Sequence, residues 1–324
     1  MDTSVLKRIN KNKIRTALRT CETASKNSLA QMTGLSVGTC NNMLKELIEE
    51  GEVLELDHAP STGGRRSRVF RYNMNYAYLM SLYTRIEDNV ESIYYQVTDL
   101  SGNIKEEAHR EYDFITLKDI QVLVETMLSL YPQLKLVSLG VPGVVQNGQI
   151  KNCDIKKLAD THPKMILEDH FKLGVVVEND VNASAIGYYA KTDYDDESFA
   201  YIYYPLNGFA GAGFIVHNQI LRGFSSFSGE MNHMPFESFV PSHEEGFLNQ
   251  VAKALISIVC ILNPNHIVLS GLGFTDLDLE IIEAKLQAHL PGMHVPELMC
   301  ESDFHDSYIY GLRELALDHY NKMI

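Results

Sequence analysis

The fold of this 324-residue chain is restricted most by the way its β-branched runs end. "LKLVSLGVPGVV" (134–145), "LGVVVEND" (173–180) and "HIVLSGLG" (266–273) are apolar stretches stopped by glycines or by an Asn-Asp pair. Short continuous apolar runs suit strands buried on both faces of a parallel sheet. Between and around them, "LKDIQVLVETMLSLY" and "EEGFLNQVAKALISIVCILNP" carry the spacing of amphipathic helices, and "SIYYQVTDLSGNI" reads as two strands around a D-L-S-G-N turn. A second round of strands begins at "SFAYIYYPLNGFAGAGFIVHNQILRG". Alternation of this kind predicts an α/β body of two lobes with a cleft between them.

The first seventy-odd residues follow a different pattern. "TSVLKRINKNKIRTALRT" has an approximate helical stripe at Val5, Leu6, Ile9, Ile14, Ala17 and Leu18. Ser28 is expected to cap a short helix running through Met32, and Gly34 permits a tight turn. Ser36 caps a second helix with Val37, Cys40, Met43, Leu44, Leu47 and Ile48 on its apolar face, ending before Gly51. Helix, glycine turn, helix is the spacing of a DNA-reading unit, and "EVLEL" and "SRVFRY" supply two strands of a wing. The second helix would enter the major groove by its N-terminal end. Ser36 opens that helix, Gly38, Asn41 and Asn42 would face base edges, and Thr39 and Lys45 would face phosphate. Arg65 and Arg66, on a Gly-Gly tip, could reach a minor groove. The same three-helix unit could instead serve protein contacts.

Charge favours the nucleic-acid reading. Residues 1–72 hold 12 Lys and Arg against 8 Asp and Glu, whereas the remainder holds 16 against 34, in a chain of net charge −14. A basic head on an acidic body suits a head that meets a polyanion and a body that does not. No apolar run is expected to reach the ~18 residues that cross a bilayer, and "MDTSVLKRINKNK" lacks the apolar segment of a secretory signal. Five scattered cysteines without a C-x-x-C pair argue for buried, reduced thiols in a cytoplasmic protein. His233 and His243 lack a third suitably spaced ligand, so no metal and no cofactor are expected.

Several stretches together resemble the ROK family of repressors and sugar kinases. They are the wing "STGGRRSRVFRYN", the loop "GVPGVVQNGQI" (Gly140–Ile150), "ENDVNASAIG" (Glu178–Gly187), "LRGFSSFSGEMNHM" (Leu221–Met234) and "LNPNHIVLSGLG" (Leu262–Gly273). The resemblance implies a winged helix-turn-helix over 1–73. It also implies a sugar-kinase-like, actin- and hexokinase-like α/β domain of two lobes over 74–324, with its cleft near 180–233. It makes Gly143, Asn179, Asp180, Glu230 and His233 the sugar or effector ligands. In the family's kinases the counterpart of Asp180 takes the proton of a sugar hydroxyl; on residue type alone Asp180 could equally hold a ligand or cap a helix.

The sequence departs from the kinases at both phosphate cradles. Where they carry D-x-G-G-T, "YLMSLYTRIEDNV" has no glycine, and "NGFAGAG" puts Asn207, Gly208 and Phe209 in place of Gly-Thr-Gly. The cysteine run of the family's zinc site is missing, Asn232 replaces a glycine, and Asn249 stands near a usual carboxylate ligand. The expectation is a non-enzymatic regulator, a repressor binding a double-stranded DNA operator as a homodimer or a tetramer. Its pocket would sense a sugar or sugar phosphate, with Asp180 a vestigial base and no membrane involved. The alternative is an active ATP-dependent sugar kinase with an accessory DNA-binding head.

Overall fold

The computed structural model describes residues 3–56, 68–194, 198–206, 210–235 and 242–324. The chain forms two compact units, one of residues 1–78 with 99–103 and 323–324, the other of 79–98 and 104–322.

The smaller unit is built on three helices and a three-stranded sheet. Helix α1 is Thr3–Thr20. Strand β1 (Ala24–Ser25) leads into α2 (Lys26–Thr33), α3 (Val37–Glu49), β2 (Val53–Leu56) and β3 (Val69–Tyr72), with sheet order β1-β3-β2. The turn between α2 and α3 runs through Gly34 at φ 69°, a left-handed conformation that glycine adopts freely. The cap of α2 is Ser25, not Ser28: the Ser25 hydroxyl accepts from Ser28 N at 3.1 Å, so the helix starts three residues early. Only half of the expected α1 stripe is buried. Ile14, Ala17 and Leu18 enter the core, while Val5, Leu6 and Ile9 are exposed, as is Val37 of α3. The charged core contact is Arg15 with Glu52, two parallel bonds of 2.6 Å joining α1 to the start of the wing. Nearly parallel bonds of this kind fix orientation as well as distance. Arg65 and Arg66 lie outside the described residues.

The larger unit holds two five-stranded sheets. The first has order β10-β7-β4-β5-β6, from β4 (Tyr78–Glu87), β5 (Val90–Asp99), β6 (Ile104–Tyr112), β7 (Leu134–Val141) and β10 (Gly174–Asn179). Helix α4 (Leu117–Leu130), the hairpin β8 (Gly143–Gln146) with β9 (Gln149–Cys153), and α5 (Pro163–Phe171) belong with it, and α6 (Asp180–Ala190) follows β10 directly. The second sheet has order β13-β12-β11-β14-β15, from β11 (Phe199–Tyr203), β12 (Gly211–Val216), β13 (Gln219–Ile220), β14 (His266–Ser270) and β15 (Glu297–Glu301). Helices α7 (Glu245–Leu262) and α8 (Asp276–His289) join its core, and α9 (Phe304–Met323) ends the unit.

Helix α7 corrects one expectation. By length and composition it is apolar enough to cross a bilayer, yet Phe247, Leu248, Val251, Leu255 and Ile258 are buried in one core with β11, β12 and β14. An apolar helix with its stripe packed on a sheet is what a core helix looks like. The thiols correct another: Cys40 and Cys153 are buried, Cys21 is half-buried, and Cys260 and Cys300 are exposed.

Helices α6 and α9 cross with their backbones touching. A Cβ on Gly187 would stand 1.9 Å from the Ser307 carbonyl oxygen, and one on Gly311 1.8 Å from that of Ala183. Only hydrogen fits at either position. That close crossing lets Tyr308, Phe304 and Leu312 of α9 share a core with Val181 and Ala185 of α6 and with Tyr201 of β11.

Candidate functional site

Strands β7 and β10 are parallel and in register, Glu178 opposite Gly140 and Asn179 opposite Val141. Their carboxyl ends therefore open on the same side, the place where α/β sheets gather ligands. Beyond β7 the chain turns into β8 at Gly143, and beyond β10 it enters α6 with Asn179 as the N-cap. Gly143 is required here by contact: a Cβ would meet Asn152 O of β9 at 2.1 Å. Its carbonyl accepts from Asn179 Nδ2 at 3.2 Å.

The side chain of Asn179 is engaged three ways. Its Oδ1 accepts from Asn182 N at 2.9 Å, and its Nδ2 donates to Gly143 O and, at 2.8 Å, to Asp180 Oδ1. Asp180 Oδ1 also accepts from Val181 N at 2.9 Å. One face of the Asp180 carboxylate is thus spoken for and the other oxygen is left for a partner. Asp180 titrates at about 7: burial raises it most, the Val181 amide opposes, and the charges of Asp154 and Glu230 raise it further. A carboxyl group of that pKa exchanges its proton near neutral pH, which suits either a general base or a hydroxyl partner.

Glu230 comes from the other side. Gly229, at φ 95°, has no room for a side chain, since a Cβ would meet Ala212 O of β12 at 1.8 Å. The Gly229 carbonyl accepts from Ala212 N at 2.8 Å, so the loop is pinned to β12 and Glu230 is presented beside it. Burial raises the Glu230 carboxyl, the neighbouring His233 draws it down, and Asp154 raises it. Val144, Val145, Asn179, Val181, Asn182, Gly211, Ala212, Ser226, Ser228, Gly229 and Glu230 line a recess of about 20 Å³. That is room for about one water molecule.

The structure therefore brings together Asn179, Asp180 and Glu230, with Gly143 acting on the recess through Asn179. His233 is exposed in a 3-10 turn (Met231–His233), its ring 5.0 Å from that of Phe227. Asn232, in the same turn, accepts from Ala210 N at 3.1 Å. Ser226 and Ser228 of the recess escaped the sequence reading, as did Asp154, whose charge bears on Asp180 and Glu230. So did the pair that holds its floor. Glu178 is buried, and its Oε2 accepts from Arg222 Nε at 3.1 Å and from Nη2 at closer range. Its Oε1 accepts from Asn179 N at 3.0 Å and Asn182 Nδ2 at 3.2 Å. A buried carboxylate needs such a set of donors. Nothing local in "VEND" announces a partner 44 residues away.

The β4–β5 hairpin turns through Asp88 and Asn89, both at positive φ. Near it Tyr83 OH meets His305 Nδ1, and Arg85 Nη1 lies 3.1 Å from the same nitrogen. Burial, then the Arg85 charge, holds His305 down to about 4, so its ring is neutral at pH 7. Tyr83 and Arg85 of β4 are thus both engaged with His305 of α9. Asn207, Gly208 and Phe209 lie outside the described residues.

In the smaller unit, Ser36 is the N-cap of α3, its hydroxyl accepting from Thr39 N at 3.0 Å and sharing a hydrogen bond with Thr39 Oγ1 at 2.9 Å. Gly38, Asn41, Asn42 and Lys45 are exposed along the first turns. Asn41 Oδ1 accepts from Lys26 Nζ at 2.5 Å, and Lys45 is 3.9 Å from Glu49. Asn42 and Lys45 also border an open groove against Leu6, Lys7 and Asn10 of α1.

The sequence model of the ROK family matches residues 86–246, and that of a winged helix-turn-helix DNA-binding family matches residues 8–51. The chain is 28% identical over 248 residues to the xylose repressor of Bacillus subtilis, a match covering 73% of this chain and 62% of that protein. It spans about three fifths of the length of the curated relatives it matches. Among solved structures, a ROK family transcriptional regulator homologous to the Escherichia coli MLC protein superposes with a TM-score of 0.71 at 14% identity, covering 98% of each chain. The ROK hexokinase of Thermus thermophilus superposes at 0.60 and 18% identity, over 76% of this chain and 99% of that one. The architecture is that of a winged helix-turn-helix joined to a sugar-kinase-like α/β domain.

Proposed function

We propose that this chain, a member of the ROK family with a winged helix-turn-helix at its head, is a DNA-binding transcriptional repressor whose ROK domain senses a sugar. The observation that carries the reading is the coexistence of two surfaces in one chain. One is an α3 whose N-terminal face exposes Gly38, Asn41, Asn42 and Lys45. The other is a polar recess walled by Asn179, Asn182 and Glu230, with Asp180 hydrogen-bonded to Asn179. The first has the chemistry of base-edge and phosphate contact; the second has the convergent hydrogen-bonding groups that a polyol requires.

The division of labour is residues 1–73 for DNA and 74–324 for the effector and for assembly into a homodimer or tetramer in the cytoplasm. Two copies present two α3 helices to the half-sites of a pseudo-palindromic operator. Arg65 and Arg66 are proposed as minor-groove contacts on the strength of the sequence. The effector changes DNA affinity in so far as it prefers one arrangement of the domain, and release is the expected sign. Asn179, Asp180, Glu230 and His233 are the proposed effector ligands, with Gly143 holding Asn179. No metal is invoked.

Asp180 keeps a pKa suited to a base, and this favours the second reading, an ATP-dependent sugar kinase with a DNA-binding head. Against it stand the glycine-free β4–β5 hairpin, packed with Tyr83, Arg85 and His305, and the Asn-Gly-Phe at 207–209. Phosphoryl transfer is mostly positioning and charge stabilisation of the phosphates, so loss of the cradle removes the activity and leaves the sugar pocket. The test is operator selection from a random duplex library by the full chain, followed by DNA titrations with a sugar panel. The reading expects a selected site whose affinity changes with at least one sugar. ADP release that depends on a sugar and is lost in Asp180→Asn would establish the kinase instead.

A further inference from the structure

The recess has two walls. Val144 and Val145 of β8, with Asn179, Val181 and Asn182 at the β10–α6 junction, form one; β12 and the loop that carries Ser226, Ser228 and Glu230 form the other. The chain enters that loop where Leu221 N donates to Phe214 O of β12 at 2.8 Å, and leaves it where Gly229 O accepts from Ala212 N at 2.8 Å. Both ends are therefore anchored on one strand. Between them the chain turns back on itself through Gly223 at φ 71° and Ser226 at φ 59°. A compact loop with adjacent ends moves about those ends and leaves the sheet undisturbed.

Little apolar contact holds the loop down: Phe224 at its tip is wholly exposed, and Phe227 is exposed as well. What crosses the recess is an ion pair. Arg222 Nε, at 3.1 Å, and Nη2, at closer range, both donate to Glu178 Oε2. The partners are unequal, for the Glu178 side chain is 4% exposed and that of Arg222 42%. A buried carboxylate favours keeping its cation, which holds the loop shut, whereas a guanidinium so near solvent leaves at modest cost. When it leaves, Glu178 Oε1 keeps its bonds from Asn179 N and Asn182 Nδ2, so the first wall stays in place. Asn182 Oδ1 is buried with no hydrogen-bond partner, so the shut arrangement carries an unmade bond that lifting the loop opens to solvent.

With the loop down, the recess of about 20 Å³ admits about one water molecule, and anything larger enters after the loop lifts. We infer that residues 221–230 form a lid over the recess and that the Arg222–Glu178 pair is its latch. The inference concerns the lid itself and does not depend on the sugar-sensing reading. Where that reading holds, unlatching is the step that admits the effector and relatching the step that retains it.

The test needs no effector. In a Val181→Cys chain the introduced thiol replaces a lining side chain that is 5% exposed. Its alkylation by iodoacetamide, read by peptide mass spectrometry, tracks the open fraction while the loop moves faster than the reagent reacts. Adding Arg222→Ala should speed that alkylation about tenfold. Loss of a neighbouring cation by itself disfavours the thiolate and slows the reaction, so a rise reports opening. Cys153, 7% exposed in the same unit, is the control for general loosening. A rate unchanged by Arg222→Ala, or one that rises only as much as that of Cys153, overturns the inference. Should the double variant fail to fold, salt decides on Val181→Cys alone. Raising it from about 50 mM to about 500 mM screens a partly exposed pair and should speed alkylation by this uncharged reagent about twofold or more. A rate indifferent to salt then overturns the latch.

Discussion

Replacing Asp180 with asparagine should stabilise the larger unit, and by an amount that grows with pH. Asparagine keeps the Oδ1 acceptor that binds Val181 N and Asn179 Nδ2 and removes the charge that burial, Asp154 and Glu230 oppose. The carboxyl titrates at about 7 in the folded chain against 3.8 for the free group. A raised folded pKa favours the protonated form, so its contribution is fully present below pH 3.8 and is lost as pH rises toward 7. At 1.36 kcal/mol per pKa unit, the wild type loses roughly 4 kcal/mol in all relative to Asp180→Asn, of which about 2–3 kcal/mol falls between pH 5 and pH 8. Urea unfolding of both proteins at pH 5, 6, 7 and 8, followed by circular dichroism, reads the difference directly. A gap that does not change with pH, or a wild type more stable than the variant at pH 8, would refute the argument that Asp180 sits uncompensated beside two other carboxyl groups.

The remaining expectations concern the supports of that site and the head. Arg222→Ala strips the charged partner from buried Glu178 and should cost about 1–3 kcal/mol, discounted from the full buried-pair value because Arg222 is partly exposed, and should weaken sugar binding in calorimetry. Gly187→Ala forces a methyl into the Ser307 carbonyl and should lower the melting temperature by at least 5 °C, equivalent to about 2 kcal/mol or more in a domain of this size. Asn42→Ala should relax base preference at one operator position by about 1–3 kcal/mol, whereas Lys45→Ala should weaken all sequences alike and reduce the salt slope by about one unit. Fluorescence anisotropy on the selected operator and on scrambled DNA distinguishes the two.

What the sequence by itself determined was everything governed by local chemistry. The apolar runs at 134–141 and 173–179 are strands because their spacing admits little else, and Gly34 and Ser36 mark a turn and a cap by conformation alone. Asn179, Asp180 and Glu230 were legible too, because a motif keeps its residue types in chain order. Where the pattern misled, a local rule met a tertiary one. Val5, Leu6 and Ile9 have helical spacing but stay exposed among the described residues of their unit, and α7 is apolar as a bilayer span would be because a sheet covers it. The tertiary structure alone decided how the recess is charged and which atoms in it are free. Glu178 reaches Arg222, Asp154 raises Asp180 and Glu230, and the fixed carboxamide of Asn182 ends in an oxygen with no partner. Each of these depends on groups brought together from distant parts of the chain, and on an accounting of hydrogen-bond donors that no stretch of sequence contains. Burial is a property of the packed whole, and it is burial that turns an asparagine in a helix's first turn into an unanswered acceptor.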